Sequence, residues 1–211
     1  MNIMNHLKIL LYLVINIGVS SACAGDVDDL FKAAAIDAPQ MLKQALQRGA
    51  DPNQTDSNGQ VALFVALRSE SLQAAEALLA HPGIQIDAAN ANGETPLMMA
   101  ALRGQIAWVQ RLLERGAKVN REGWTPLHYA AAGPSLPVIE LLLARGATID
   151  ARSPNGTTPL MMAARYGTID AADLLRARGA DAALRNEREL QAQDFAAAAG
   201  REELASRLRP R

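Results

Sequence analysis

One stretch of the chain decides its fold: Asn92-Gly-Glu-Thr-Pro-Leu-Met-Met-Ala-Ala-Leu-Arg-Gly104. Nearly the same residues return twice, as Glu122-Gly-Trp-Thr-Pro-Leu-His-Tyr-Ala-Ala-Ala-Gly133 and Asn155-Gly-Thr-Thr-Pro-Leu-Met-Met-Ala-Ala-Arg-Tyr-Gly167. Each copy is followed by an apolar segment and then by Arg-Gly-Ala, an ending found at 115–117, 145–147, 178–180 and, earlier in the chain, 48–50. Recurrence in this order and spacing indicates a repeat protein, in which each copy is one structural unit.

The period of the repeat is set by the glycine of each predicted tight turn. Gly59, Gly93, Gly123 and Gly156 recur at nearly constant intervals, although the interval from Gly93 to Gly123 is shorter than the other two. Glu189 lies as far beyond Gly156 as Gly156 lies beyond Gly123, and there a Gln-Ala-Gln-Asp-Phe-Ala segment replaces the Thr-Pro-Leu register. The last unit is therefore degenerate, as terminal units of repeat arrays commonly are.

These segments resemble the ankyrin repeat, whose hallmark is Gly-x-Thr-Pro-Leu-His-x-Ala-Ala recurring at intervals of about 33 residues. The resemblance implies an all-α solenoid of stacked helix-turn-helix units with hairpin-like finger loops. It covers nearly all of residues 25–211, the predicted ankyrin-repeat domain. We place a degenerate N-terminal unit at 28–56, central units at 57–90, 91–120, 121–153 and 154–186, and a C-terminal unit at 187–211.

Each unit carries its own helix start and stop signals. Thr95, Thr125 and Thr158 can cap a first helix, with a proline at its first position, where a missing N–H costs nothing. Gly116, Gly146 and Gly179 are expected to end the second helix in the left-handed conformation that glycine tolerates best. The same spacing places Leu142 in the core shared by neighbouring units.

Residues 1–24 have the layout of a secretory signal peptide. A short start with one lysine, Lys8, precedes the apolar run 9–19, which is too short to span a bilayer comfortably. Ala22 and Ala24 then form the Ala-x-Ala pattern, which predicts cleavage before Gly25 and export to the periplasm. Lipidation of Cys23, as in a bacterial lipoprotein, is the alternative, and a secreted eukaryotic protein is another. After cleavage at this site the chain has no cysteine and no membrane-inserted segment.

Neither the composition nor the motifs of this chain indicate catalysis, a cofactor or a metal site. The net charge is −1, with 49% hydrophobic and 20% charged residues, which predicts a folded protein without the basic patch that binds nucleic acid. No phosphate-binding glycine motif, catalytic constellation or metal-ligand spacing occurs, so we expect no cofactor, no metal and no enzyme activity. In the ankyrin resemblance, His128 is a structural hydrogen-bonding residue. The pairs Met98-Met99 and Met161-Met162 are predicted to pack in the core, with an adaptable or oxidisable surface as the alternative.

Function is therefore expected in binding of another protein. The resemblance implies that the fingertips and the exposed ends of the first helices line a concave face, and the mixture of arginine and aromatic residues there is typical of an interface. By register, the predicted contact residues are Gln60, Arg68, Asn92, Glu94, Leu102, Arg103, Arg121, Glu122, Trp124, Asn155, Thr157, Arg165 and Tyr166.

Three functions from different classes remain open at the level of sequence. The chain resembles small exported ankyrin proteins that support a periplasmic partner, including those linked to catalase and peroxide protection. An immunity or inhibitor protein capping a toxin or enzyme is the alternative, and an unrecognised hydrolase is the third possibility. In each of the first two cases the chain is expected to be a monomer.

The third finger is predicted to be short. The interval from Arg115 to Arg145 is three positions shorter than the interval from Arg145 to Arg178, and the shortening falls in the segment 118–123. We expect a recess in the finger row and Trp124 exposed beside it as a principal anchor for the partner. The alternative is that Trp124 folds down over the gap, because loops accept length changes readily.

Overall fold

The computed structural model describes residues 24–210 of the 211-residue chain. The predicted signal segment is 1–24, and its residues 1–23, which include Cys23, lie outside the described part. Within the described residues the fold is all-α, with an isolated antiparallel bridge between Thr55 and Val61 and no longer strand. The all-α repeat architecture predicted from the sequence is confirmed.

Twelve helices form six consecutive pairs in the described part of the chain. The first helices of the pairs are α1 Ala24–Ala35, α3 Ala62–Arg68, α5 Pro96–Leu102, α7 Pro126–Ala132, α9 Pro159–Tyr166 and α11 Ala192–Ala198. The second helices are α2 Pro39–Gln47, α4 Leu72–Leu79, α6 Ile106–Glu114, α8 Leu136–Ala144, α10 Ile169–Ala177 and α12 Glu202–Arg207. Helix α1 starts at Ala24, before residue 28, the predicted start of the first unit.

The predicted start and stop signals are found where the sequence places them. Thr95 and Thr158 cap α5 and α9, each accepting a hydrogen bond from the backbone N–H three residues on, and Thr125 occupies the same position at α7. Beyond α6, Gly116 has φ +88°, and the N–H of Ala117 donates to the carbonyl of Leu112 at 2.9 Å. This bond satisfies an orphan carbonyl at the helix end, and Gly146 and Gly179 repeat the arrangement.

The core runs the length of the array because first helices stack on first helices and second helices on second helices. Its residues are mostly alanine and leucine, which allow helices to approach closely. Two glycines bring the backbones together at the ends of the first helices. A Cβ on Gly133 would lie 2.7 Å from the carbonyl oxygen of Leu102, and one on Gly167 would lie 2.2 Å from that of Ala131. Only glycine fits at these two contacts.

The finger loops share one turn, which the third finger lacks. In the others a backbone N–H donates to the carbonyl four residues on, as from Asn90 to Glu94 and from Ser153 to Thr157. The corresponding bond between residues 120 and 124 is absent from the described hydrogen bonds, although Gly123 keeps a positive φ of +78°. At the C-terminal end Glu189 occupies the turn position with φ +60°, as its spacing from the preceding turn glycine predicts.

Asparagine and aspartate side chains link the loops that follow the second helices. Asn120 donates from Nδ2 to the carbonyl of Gly146 at 2.8 Å and accepts the N–H of Thr148 at 2.9 Å. Asn53 makes the same two bonds to the next loop: it donates to the carbonyl of Gly83 and accepts the N–H of Gln85. Asp150 occupies the same place one unit on, but it can only accept, and it does so from the N–H of Asp181 at 3.1 Å. Partial burial, with the nearby Asp181, raises the pKa of the Asp150 carboxyl.

We predict that Leu142→Ala lowers the free energy of unfolding by about 2–5 kcal/mol, because Leu142 of α8 is fully buried against the neighbouring helices. Urea denaturation measures the change. Leu143→Ala, at a half-buried position of the same helix, is the matched control and should cost less. A loss below about 0.5 kcal/mol for Leu142→Ala would contradict the packing described here.

We predict that Asp150→Asn stabilises the fold at pH 7 by about 0.5–1.5 kcal/mol, because the amide can donate to the carbonyl of Gly179 as Asn120 does to Gly146. The raised pKa means that the folded state favours the protonated carboxyl. The contribution of Asp150 to stability is thus present below about pH 4 and is lost as the pH rises through its folded-state pKa.

The gain from Asp150→Asn should therefore shrink at acidic pH, where the protonated carboxyl can itself donate. Urea denaturation at several pH values measures this dependence. Asn120→Asp is the reverse substitution in the equivalent loop and should destabilise by a similar amount at neutral pH. An equal gain at neutral and at strongly acidic pH would show that the donor at this position is not the cause.

Candidate functional site

The candidate site is the face formed by the finger loops and the C-terminal ends of the first helices. Most predicted contact residues are accessible there. Those with exposed side chains are Arg68, Asn92, Arg103, Arg121, Glu122, Asn155, Arg165 and Tyr166, and those half-buried are Gln60, Glu94, Leu102 and Trp124. The exception is Thr157, which is 3% exposed.

The predicted placement of Thr157 at the surface is wrong. Its N–H donates to Ser153 Oγ at 3.0 Å, and its carbonyl accepts from the N–H of Ser153 across the finger turn. The same carbonyl lies 2.9 Å from His128 Nε2 of the preceding unit. Thr157 is therefore held in the contact between two units and offers no side chain to a partner.

His128 is a structural residue, as the sequence predicted. Its Nδ1 accepts the N–H of Thr125 at 3.1 Å, which leaves Nε2 as the protonated nitrogen that donates to Thr157 O. Burial lowers the pKa of the imidazole, so the ring stays neutral. Met98 and Met161 occupy the same helix position in the two flanking units, each with Sδ 3.4 Å from the equivalent threonine N–H. Both are buried, which confirms their packing role.

Trp124 is not the free-standing aromatic that one prediction required. Its ring packs edge-on against the His128 ring, with centroids 5.2 Å apart and planes at 74°. The side chain is half-buried, so part of the indole remains in contact with solvent. The structure thus favours the alternative in which Trp124 folds down over the gap, and the ring that it contacts, His128, belongs to its own unit.

Tyr129 is a member of this face that the sequence reasoning missed. Its hydroxyl donates to Glu94 Oε1 at 2.8 Å, and the other oxygen of Glu94 accepts from Asn90 Nδ2 at 2.7 Å. Burial and the bond to Glu94 raise the pKa of the Tyr129 phenol above its usual value. The available signal was the copy Leu-His-Tyr, which puts an aromatic residue where both flanking copies have methionine.

Arg121 bridges the gap left by the short finger. Its Nη1 donates to the carbonyl of Gly93 at 2.6 Å. One unit earlier the equivalent carbonyl, that of Gly59, accepts a backbone N–H from Ala91 at 2.8 Å. One unit later the position of the donor is Pro154, which has no N–H to give. The side chain of Arg121 is thereby held in place, while Glu122 beside it stays exposed.

The ends of the first helices carry arginine beside aromatic or apolar residues. Arg165 lies over the ring of Tyr166 at 5.3 Å, and Tyr166 is 57% exposed. Arg68 lies over the ring of Phe64 at 6.0 Å. Arg103 forms an ion pair with Glu70 of the preceding unit. Exposed arginine and tyrosine side chains are among the residues that most often anchor protein interfaces.

A stack of helix pairs with finger loops and no chemical centre among the described residues defines a repeat scaffold. The family model described as "Ankyrin repeats (3 copies)" matches residues 30–123 and 109–186, well over half of the chain. The chain belongs to the ankyrin-repeat family.

Several curated proteins share the repeat over part of their length. Ankyrin repeat and SAM domain-containing protein 6 of Danio rerio is 31% identical over 44% of this chain and 17% of its own length. Neurogenic locus notch homolog protein 4 of Homo sapiens is 35% identical over 34% of this chain and 4% of its own length. Probable E3 ubiquitin-protein ligase XBOS31 of Oryza sativa subsp. japonica is 36% identical over 48% of this chain and 24% of its own length. The chain spans less than a quarter of each relative.

Family membership brings a coarse function with it. Ankyrin repeats generally mediate protein–protein interaction, and proteins built from them are typically binding modules without catalysis. Residues 24–210 contain no cluster of three side chains suited to a metal ion. Across the same residues no helix has the length and apolar character needed to cross a membrane.

We predict that Trp124→Ala lowers the free energy of unfolding by about 1–2 kcal/mol, because it removes an edge-to-face ring contact and a half-buried side chain. Chemical denaturation measures the loss. Tyr166→Ala removes a more exposed aromatic residue and should stay within about 0.5 kcal/mol of the parent. Equal stability of the Trp124→Ala variant and the parent would contradict a packing role for Trp124.

Proposed function

We propose that this chain is an exported, non-catalytic module that binds a periplasmic protein on the face formed by its fingers and first-helix ends. The proposed partner is a resident enzyme, such as a catalase-type stress enzyme, which the module supports or regulates. The chain works as a monomer in this proposal, without a cofactor.

One observation carries the choice of face. Exposed arginine and tyrosine side chains lie on a row of helix ends whose backbones are locked together at Gly133 and Gly167. Binding to a preformed surface avoids the entropic cost of ordering it. The second helices present a different surface, where exposed ion pairs such as Arg178 with Glu140 and Arg111 with Glu76 link neighbouring units.

Export is supported by residues 1–24, with their apolar run and Ala-x-Ala ending. Cleavage before Gly25 would leave all of α1 except its first residue, because that helix spans Ala24–Ala35. The folded array would then be cysteine-free, since Cys23 is the one cysteine of the chain. A fold held by packing and hydrogen bonds suits an oxidising compartment without depending on it.

The test is photo-crosslinking from a defined position in cells that secrete the full chain. Tyr166 is replaced by benzoylphenylalanine, and the matched control carries it at Ala177, an exposed position on the second helix of the same unit. We expect a discrete crosslinked protein in the periplasmic fraction from position 166 and none from position 177. Mass spectrometry identifies the partner and shows whether the chain begins at Gly25.

Crosslinks from position 177 alone would move the binding face to the second helices and overturn the proposed site. A chain retained in the cytoplasm, or one lipidated at Cys23, would overturn the proposed export as a soluble periplasmic protein. A crosslinked toxin in place of a resident enzyme would replace the supportive role with immunity.

A further inference from the structure

Helix α7, the fourth of the six described first helices, ends in small residues and lies between two helices that end in large ones. Helix α5 ends at Leu102 followed by Arg103, and α9 ends at Arg165 and Tyr166. Helix α7, between them, ends at Ala132 followed by Gly133. The three helices stack directly on one another. In the repeat register Ala132 corresponds to Leu102 and Arg165, and Gly133 corresponds to Arg103 and Tyr166. Because the three helices stack directly, the small residues of α7 leave a depression between the larger side chains of its neighbours.

The floor of this depression is rigid. Gly133 lies so close to the carbonyls of Ala101 and Leu102 that a side chain would collide with the backbone of α5. Gly167 is even closer to the carbonyl of Ala131. A larger residue at position 133 would therefore have to separate the helices, and the depression is fixed by the stacking itself.

The rim of the depression is basic although the chain as a whole is slightly acidic, with a net charge of −1. Arg165, on the α9 side, forms none of the described ion pairs and lies over the ring of Tyr166. Arg103 is paired with Glu70, but both side chains are exposed. Such an exposed pair is worth little, so Glu70 can be exchanged for a carboxylate of the partner.

We propose that the depression over Ala132 receives one apolar side chain of an acidic segment of the partner, with a carboxylate on each side of it pairing with Arg103 and Arg165. This inference rests on the proposed function and names the chemistry that the partner must present. The apolar side chain contacts Leu102, Ala132 and the ring of Tyr166. Carboxylates form two parallel hydrogen bonds with arginine, which hold the residues on each side of the apolar side chain over the neighbouring helix ends.

An acidic protein segment fits this face better than a nucleic acid, the other polyanion that arginine and aromatic side chains can bind. Glu94 and Glu122 lie on the fingers of the same face, where they would repel a continuous phosphate backbone. A protein segment can place its acids only along the helix ends. The depression also accepts a single side chain, whereas nucleic-acid sites stack successive bases.

The probe is a random peptide library displayed on phage and selected on the chain beginning at Gly25. We expect enriched peptides to carry phenylalanine, leucine or tryptophan with aspartate or glutamate on both sides. Fluorescence anisotropy with one enriched peptide, made synthetically, then gives its affinity. A labelled single-stranded oligonucleotide is measured in parallel and should not bind at the same protein concentration.

Variants of the chain locate the peptide. Arg165→Glu should weaken it by about tenfold or more, and Ala132→Gln, which fills the depression with a neutral side chain, should do the same. Arg145→Glu reverses an exposed arginine after α8, on the second-helix side, and should leave the affinity within about twofold. Affinity should also fall as salt is raised, because exposed charges are screened.

Enrichment of neutral or basic peptides, no enrichment at all, or an equal loss with Arg165→Glu and Arg145→Glu would overturn this inference. Binding of the oligonucleotide would replace the acidic segment with nucleic acid. The proposed function is read separately, by crosslinks from position 166 in the periplasm. Crosslinks from position 166 without peptide binding would support the proposed function and overturn this inference. Peptide binding without those crosslinks would support this inference and overturn the proposed function.

Discussion

Close stacking of the helix backbones is the constraint on which the rest of the molecule depends. No unit can bury its apolar face alone, so each first helix has to approach the next one closely. At Gly133 and Gly167 the approach leaves no room for a side chain. Alanine-rich helices meet this demand at little entropic cost, because alanine has no side-chain rotamers to lose. The composition of the chain, rich in alanine and leucine and poor in aromatic residues, follows from the same demand.

Polar side chains keep the stacked units in register. His128 ties the start of α7 to the following finger through Thr157, and Asn53 and Asn120 tie successive loops together. His128 is buried, Asn53 is half-buried and Asn120 is exposed, and the bonds of all three run to backbone atoms of the neighbouring unit. A slip between units would leave the buried His128 ring nitrogen without a partner, and an unsatisfied buried donor is costly. The hydrophobic core supplies most of the stability, and these bonds select one alignment of the units.

Most of the fold could be predicted because its determinants are local in sequence. Threonine, proline and glycine influence the backbone only within a few residues, so helix starts and ends can be predicted from the sequence alone. Spacing places even Glu189 in its turn, and it adopts the left-handed backbone of the glycines it replaces. The candidate face was harder to predict because exposure depends on contacts between units. Thr157 is buried by His128 of the preceding unit, Trp124 turns down onto the same histidine, and Tyr129 reaches back to Glu94.

The interrupted finger row has a mechanical consequence. Neighbouring fingers are joined by backbone bonds at Gly59 and at Asn155, and by the Arg121 side chain at Gly93. Between the fingers of Gly123 and Asn155, the described hydrogen bonds include none, and Pro154 supplies no donor there. The helix ends of the same units are wedged together through Gly167. The two units are therefore aligned at this junction by the buried bond from His128 to the carbonyl of Thr157 and by the stacked helix ends. These two contacts carry the load that finger-to-finger bonds share at the other junctions.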